Sequence, residues 1–503
     1  MIIKIAIKNL FANKAKTIIL MSLIGLGSFF IILGLGLLNF GLGHLKEICI
    51  SDFSGDILIV GNDNPKIQAN LTGATVKSGI STSMPKTPYL PEPKKIISFL
   101  EETGEVQQLT TTTVSSFIMV EPKISKTEKD TADSSNRIFI IVLGITPEPY
   151  KKMFDTIKIT DGKYPDAQDK QFFLMPNKIK TEIEKKQKIS LKVGDLVTAT
   201  SFLANAKTKT IDLTISGFFD YAHPDAPITE IAYTDVDSSR QLSGMIMGAK
   251  VANQIPESMD ISLAQKSEDE LFSAGNDMFT TVNTEKKLTQ SDVENILGDT
   301  SLRDSLNLSD TEAWNHIAVK LKHPAKTTDM IQKLNKHFDA ENIPAIAIPW
   351  DIAMANYTAG IQTTQVLFTS VLILLSVIVL IVIMNTLVVS IMERTGEIGT
   401  MRALGAKRSY IRTLFYTESA FMALVASAVG AAFAIITGII LNSLAIRFGD
   451  ILALFFGSYK VGVIISVSSV LSTVFAILLA SLIAGMYPIR VALKISPLEA
   501  MNK

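Results

Sequence analysis

Residues 352–392, IAMANYTAGIQTTQVLFTSVLILLSVIVLIVIMNTLVVSIM, contain no charged side chain. A helix needs about 20 apolar residues to cross roughly 30 Å of hydrocarbon, and buried helices of soluble proteins seldom carry apolar runs beyond about 14. Three more stretches are equally free of charge: Thr17–Gly43, Ser419–Ile446 and Val461–Ile489. The 47% of apolar residues in this 503-residue chain is therefore concentrated in four blocks. This is the pattern of an integral membrane protein with four transmembrane helices, one near the N-terminus and three near the C-terminus. The first block is longer than the roughly 7–15 apolar residues of a signal peptide, and no small-residue cleavage site follows, so it is expected to stay attached.

Lysines and arginines near membrane ends stay in the cytoplasm. Lys4, Lys8, Lys14 and Lys16 precede the first span, and Arg394, Arg402, Lys407, Arg408 and Arg412 lie between the second and third. Arg490, Lys494 and Lys503 follow the fourth. If every span crosses once, all three clusters fall on the same side. The expected layout is an N-terminal cytoplasmic segment and first span over 1–46, a large extracytoplasmic domain over 47–351, and a second span over 352–392. A cytoplasmic connection (393–418), the third span (419–446), a short external loop (447–460), the fourth span (461–489) and a cytoplasmic tail (490–503) follow. The expected location is the cytoplasmic (inner) membrane, with both termini inside.

The net charge of zero hides an asymmetry, because residues 47–351 hold about ten more acidic than basic side chains. That excess suits solubility and argues against nucleic acid as a partner. A single cysteine, Cys49, excludes an internal disulfide, so a hydrophobic core must hold the large domain. Cys49 follows Glu47 and Ile48 rather than small residues and reads as a boundary residue, not a lipid-attachment site.

Within the large domain, SGDILIV (54–60), Val106–Val120, RIFIIVLG (137–144), Phe172–Met175, Leu196–Ser201, Ile211–Phe219, Trp314–Lys322 and Ile343–Trp350 read as strands. PKKIISFLEE (93–102), Lys178–Ile189 and Thr327–Glu341 read as helices. Gly61–Pro91, rich in Gly, Ser, Thr, Asn and Pro, reads as a loop. Strand, helix, strand at both ends predicts an α+β layer built from the two flanks, with a mainly β block from about 161 to 310 inserted.

Motifs for catalysis are missing. No G-x-x-x-x-G-K-[ST] phosphate loop occurs, His316, His323 and His337 lack metal-ligand spacing, and Glu268-Asp269-Glu270 reads as solvated surface. Neither an enzyme nor a bound cofactor or metal is expected. The informative stretch is ERTGEIGTMRALGAKRSYIRTLFYTE, residues 393–418. Ile398, Met401 and Leu404 recur every three residues and give a short helix an apolar stripe, with Arg394, Glu397 and Arg402 beside it. A break at Gly405-Ala406 and a second helix leading into the third span follow. Such a helix can rest in the lipid interface or fit a groove on a cytoplasmic protein.

This stretch resembles the signature of the FtsX-like, or MacB-type, permease family of ABC transporters: E-R-x-x-E-I-G-x-x-R-A-L-G-A, here Glu393, Arg394, Glu397, Ile398, Gly399, Arg402, Ala403, Leu404, Gly405 and Ala406. IAIKNLFANKAKT (5–17) is similar to the family's basic N-terminal helix. YPIRVALKISPLEAM (487–501) is similar to its closing segment. The resemblance implies that residues 393–406 form a coupling helix docking on a separate cytoplasmic ATPase subunit. It also implies that the large domain has a porter-like layer and a second subdomain, and that two permeases, identical or paralogous, work as a dimer that transmits ATP-driven motion outward. Small residues at helical spacing, Gly27, Gly34 and Gly41 in the first span, Gly430, Ala434 and Gly438 in the third, and Ala476, Ala480 and Ala484 in the fourth, allow close helix approach within one subunit or between two. FSGDILI (53–59), GITPEP (144–149) and DGKYP (161–165) look most like the lipoprotein-releasing (LolC/LolE) branch. That branch implies extraction of lipoproteins from the membrane and transfer to an external carrier. Drug or peptide efflux and regulation of a cell-wall hydrolase are the alternatives.

Overall fold

A computed structural model describes residues 14–64, 66–76, 87–123, 137–154, 157–202, 208–223, 225, 228, 230–245, 308–393 and 395–494. The chain divides into a helical unit, built from Met1–Ile48, Asp225–Pro227 and Ala355–Lys503, and a sheet unit, built from Cys49–Pro224 and Ile228–Met354. The acidic run at 268–270 and the ends of the two flanking motifs, 5–13 and 495–501, lie outside the described residues.

Four helices of the helical unit are long and apolar enough to cross a membrane: Lys14–Ile48, Ala355–Glu393, Arg408–Ser443 and Val467–Lys494. At about 1.5 Å per residue each exceeds the roughly 30 Å of a hydrocarbon core. The first and third lie closest. A Cβ on Gly25 would come 3.2 Å from the Ala426 carbonyl oxygen, a Cβ on Gly430 would collide with the Gly25 carbonyl, and Ser28 donates to the Ser427 carbonyl at 3.1 Å. Gly34 faces the Phe368 ring of the second long helix, and Gly41 faces Phe456. Gly27 is buried, Ala434 packs on Ile32, and Gly438 faces Val463. In the fourth helix Ala484 is buried, Ala480 half-buried and Ala476 exposed, so a stripe at four-residue spacing drifts off the contact face. Gly25 and Gly36, outside the seven-residue series, also make close contacts.

The fourth long helix begins at Val467, six residues after its charge-free run. Val461–Ser466 is not helical. Asn442 clamps it at both sides of Val463, accepting from the Val463 N–H at 2.8 Å and donating to its carbonyl at 3.0 Å, and the Ile464 N–H donates to the Gly36 carbonyl at 2.9 Å. Non-helical backbone beside apolar helices is tolerated where such bonds satisfy it. Gly36 and Gly438 leave the room, since Val463 Cγ1 lies 2.7 Å and 3.3 Å from where their Cβ atoms would stand.

The sheet unit carries twelve described strands: β1 (Ile57–Gly61), β2 (Ile67–Asn70), β3 (Gly73–Val76), β4 (Val106–Pro122), β5 (Ile138–Ile145), β6 (Ile157–Gly162), β7 (Phe172–Pro176), β8 (Leu196–Phe202), β9 (Thr208–Tyr221), β10 (Ile231–Asp235), β11 (His316–Leu321) and β12 (Ala345–Pro349). Ten join one sheet, in the order β12-β1-β11-β4-β5-β10-β7-β9-β6, with β8 pairing β4 and β9. β2 and β3 form a hairpin inside the segment expected to be a loop. β4 is the joint. Its first half pairs with β11 and its last residues with β8, and the register shifts between Ser115 and Ile118, where Phe117 sits at φ 56°.

Two cores flank that joint. In one, β1, β11 and β12 are covered by the helices Pro93–Glu102 and Thr327–Ala340 through Ile96, Leu100, Met330, Leu334 and Phe338. The other packs Ile118, Val120, Ile140, Phe173, Leu213 and Phe218 against Ile179, Ile183 and Leu242. This second core includes Ile118 and Val120 of β4 and Ile138, Ile140 and Val142 of β5. After Leu242 the chain is tied at residues 245 and 310. The Asp310 N–H donates to the Met245 carbonyl at 2.9 Å, and Arg240 donates to the carbonyls of Ala313 and Thr311 while its guanidinium lies 4.6 Å from the Trp314 ring centre.

Candidate functional site between the second and third long helices

The helix Thr395–Ala403 lies between the long helices Ala355–Glu393 and Arg408–Ser443. Gly405 ends it, at φ 93°. The Gly405 N–H donates to the Arg402 carbonyl at 3.1 Å and the Ala406 N–H to the Met401 carbonyl at 3.0 Å, the paired bonds that close a helix when a left-handed residue follows it. A Cβ on Gly405 would meet nothing within 4 Å, so the backbone conformation, not space, calls for glycine. Lys407 then turns to an extended conformation and its carbonyl accepts from Tyr410 at 3.0 Å, starting the next helix.

The apolar stripe divides. Ile398 is buried and Met401 half-buried, packing with Ile411, Phe415 and Tyr410 of the third long helix and with Ile489 of the fourth. Ile489 follows Pro488 inside that fourth helix, so the closing Tyr487-Pro488-Ile489-Arg490 motif meets the short helix in space. Leu404 departs from the stripe and is 85% exposed. Gly399 is buried, while Arg402 is half-buried and Glu393 exposed, both with partners within the chain. Glu397 and Ala403 lie on the helix, and Arg394 lies outside the described residues.

An open depression of about 720 Å³ borders the turn, lined by Met401, Leu404, Ala406, Lys407, Tyr410 and Thr413. Tyr410 and Thr413 were not singled out by the sequence reading, although their three-residue spacing puts them on one helix face. Leu404 leaves an apolar knob on this turn, beside Lys407 and Tyr410. Among the described residues no group of three His, Cys, Asp or Glu side chains could hold a metal ion.

Residues 369–497 match the FtsX-like permease C-terminal domain. The matched segment includes the short helix, its Gly405 turn and the Ile489 contact. A probable export ATP-binding/permease protein of Pseudomonas fluorescens is 32% identical over 160 residues, covering 30% of this chain and 23% of that protein. An uncharacterized ABC transporter permease of Methanocaldococcus jannaschii is 27% identical over 193 residues, 38% of this chain and 46% of that protein. The macrolide export ATP-binding/permease protein MacB of Escherichia coli is 36% identical over 90 residues, 17% of this chain and 14% of that protein. The chain spans less than half the length of each of these relatives.

Proposed function

We propose that the chain is the permease subunit of an ABC transporter, working with a separate cytoplasmic ATP-binding subunit. The carrying observation is the turn at 404–406. Ile398 and Met401 fasten the short helix to the third and fourth long helices, and Leu404 is left to a partner. A push on Leu404 would then be felt by both long helices, because the linkage is a packed core and not a loose tether. In this reading the sheet unit lies outside the cytoplasmic membrane, a second permease copy or paralogue completes the assembly, and motion rather than a transmembrane pore connects ATP hydrolysis to the external domain.

The cargo we propose is a lipoprotein, extracted from the outer leaflet and passed to an external carrier, on the strength of the short similarities at 53–59, 144–149 and 161–165. Export of a drug or peptide is the second reading, favoured by relatives named for export. Depletion of the protein followed by fractionation separates the two. Lipoproteins accumulating in the cytoplasmic membrane support the first. Unchanged lipoprotein sorting with raised intracellular drug or peptide overturns it in favour of the second.

A further inference from the structure

The connection between the third and fourth long helices, expected to be a loop, carries a helix, Asp450–Phe456, ended by Gly457 at φ 71°. Contacts within the helical unit fix its level. A Cβ on Gly41 of the first long helix would collide with the Phe456 carbonyl, and one on Gly457 would come within 3.1 Å of the Gly41 carbonyl oxygen and 2.9 Å of Ile361 Cδ1 in the second. Gly41 stands just before His44, Lys46 and Glu47, and Ile361 follows Asp351 by ten residues. Through Gly41 the short helix lies where the first apolar run gives way to charge, the depth of lipid headgroups.

It is also held rigidly. The Phe448 N–H donates to the Tyr459 carbonyl at 2.6 Å and the Val461 N–H to the Ile446 carbonyl at 2.9 Å, joining the two ends of the connection, and the Asn442 clamp on Val463 fastens its exit. Its apolar side chains are divided between two faces. Ala453 is buried and Phe456 stacks on Phe448, whereas Ile451, Leu452 and Phe455 are 72%, 48% and 41% exposed. At about 100° per residue, positions i, i+1 and i+4 fall within one stripe about 100° wide.

We propose that helix 450–456 is an interfacial foot whose Ile451, Leu452 and Phe455 sit in the boundary between headgroups and acyl chains of the adjoining leaflet. The lipid surface is the occupant because the helix is packed onto two spanning helices near the end of the first apolar run while its large apolar side chains stay exposed. It sets the depth and tilt of the third and fourth helices from outside, whatever the cargo.

Phe455→Trp is introduced into the full chain carrying Trp314→Phe and Trp350→Phe, and reconstituted in phosphatidylcholine vesicles with or without bromine on the acyl chains close to the glycerol. The foot predicts loss of at least about half of the indole emission in the brominated vesicles. Ile451→Trp in the same background should respond alike and covers the case in which Phe455→Trp fails to fold. Emission indifferent to bromine and quenched by aqueous iodide overturns the proposal. So does emission indifferent to both, with Ile451→Cys in a Cys49→Ser chain forming disulfides between copies, which makes the face a contact with a second copy.

Discussion

Close approaches to the first long helix occur at its glycines, Gly25 against Gly430 of the third, Gly34 against the Phe368 ring of the second, Gly36 against Val463 of the extended connection and Gly41 against the Phe456 carbonyl of the short helix. In the sheet unit the equivalent places are filled by Phe173, Phe218, Ile140 and Leu213, all buried. The contrast follows the solvent. Lipid tails suit an apolar side chain as well as another helix does, so membrane helices associate through close backbone approach. In water each buried methylene is favourable, and large side chains collect inside. The second long helix accordingly leaves Val366 66% and Ile373 61% exposed.

Truncation in the sheet core should have the largest effect. Phe173→Ala removes a fully buried ring and should cost about 3–5 kcal/mol, read as a lowered unfolding midpoint of the full chain in detergent. Leu374→Ala, at a site 61% exposed, should leave the midpoint unmoved. Equal effects would erase the distinction between the two regions.

Acid comes next. His316 is buried, with Nε2 donating to the Asn70 carbonyl at 2.9 Å and Nδ1 3.3 Å from the Thr112 hydroxyl, and burial pushes its imidazole down to about 3. The unfolded chain takes up that proton near pH 6.5. Between these values the unfolded state holds more protons, so stability is fully present above about pH 6.5 and falls as the pH drops toward 3, by up to about 1.4 kcal/mol per unit. A pH series of unfolding midpoints should be flatter in His316→Gln, and an unchanged slope would contradict this account.

Between the helices it is added bulk, not lost bulk, that should destabilise. Gly430→Leu is expected to cost about 1–3 kcal/mol by forcing the first and third helices apart, seen as earlier aggregation on heating in detergent. Gly43→Ala, where a new methyl group meets nothing within 4 Å, should be neutral or slightly stabilising. The smallest effect is reserved for the surface pair Lys123–Asp212, both partners exposed at 2.8 Å. Lys123→Ala should produce no measurable shift in midpoint.

The long helices were legible because hydrocarbon excludes charge, and charge can be counted along a sequence. Most strands were legible from alternation and β-branched runs, and the Gly405 break from its glycine. Hydropathy, however, reports burial and not conformation, so Val461–Ser466 was read as helix although its Val-Gly-Val-Ile-Ile composition favours extended chain. The hairpin at 67–76 was hidden by neighbouring Gly and Asn residues, and the helix at 450–456 is too short for periodicity to register. The exposure of Leu404 was illegible for another reason: its spacing from Ile398 and Met401 predicts a common face, but the helix closes at Ala403 and the turn carries Leu404 away.

The docking of an ATP-binding subunit at the Gly405 turn is tested most directly by affinity purification of the intact protein from its own membranes, comparing the unaltered chain with Leu404→Glu. Leu404 makes no core contact that the change would remove, so the variant should insert and fold normally. The account predicts an ATP-binding subunit recovered with the unaltered chain and reduced at least about tenfold with Leu404→Glu, the loss expected when a charge is placed at the centre of an apolar contact. Equal recovery of that subunit with both chains, or its absence from both, would contradict it.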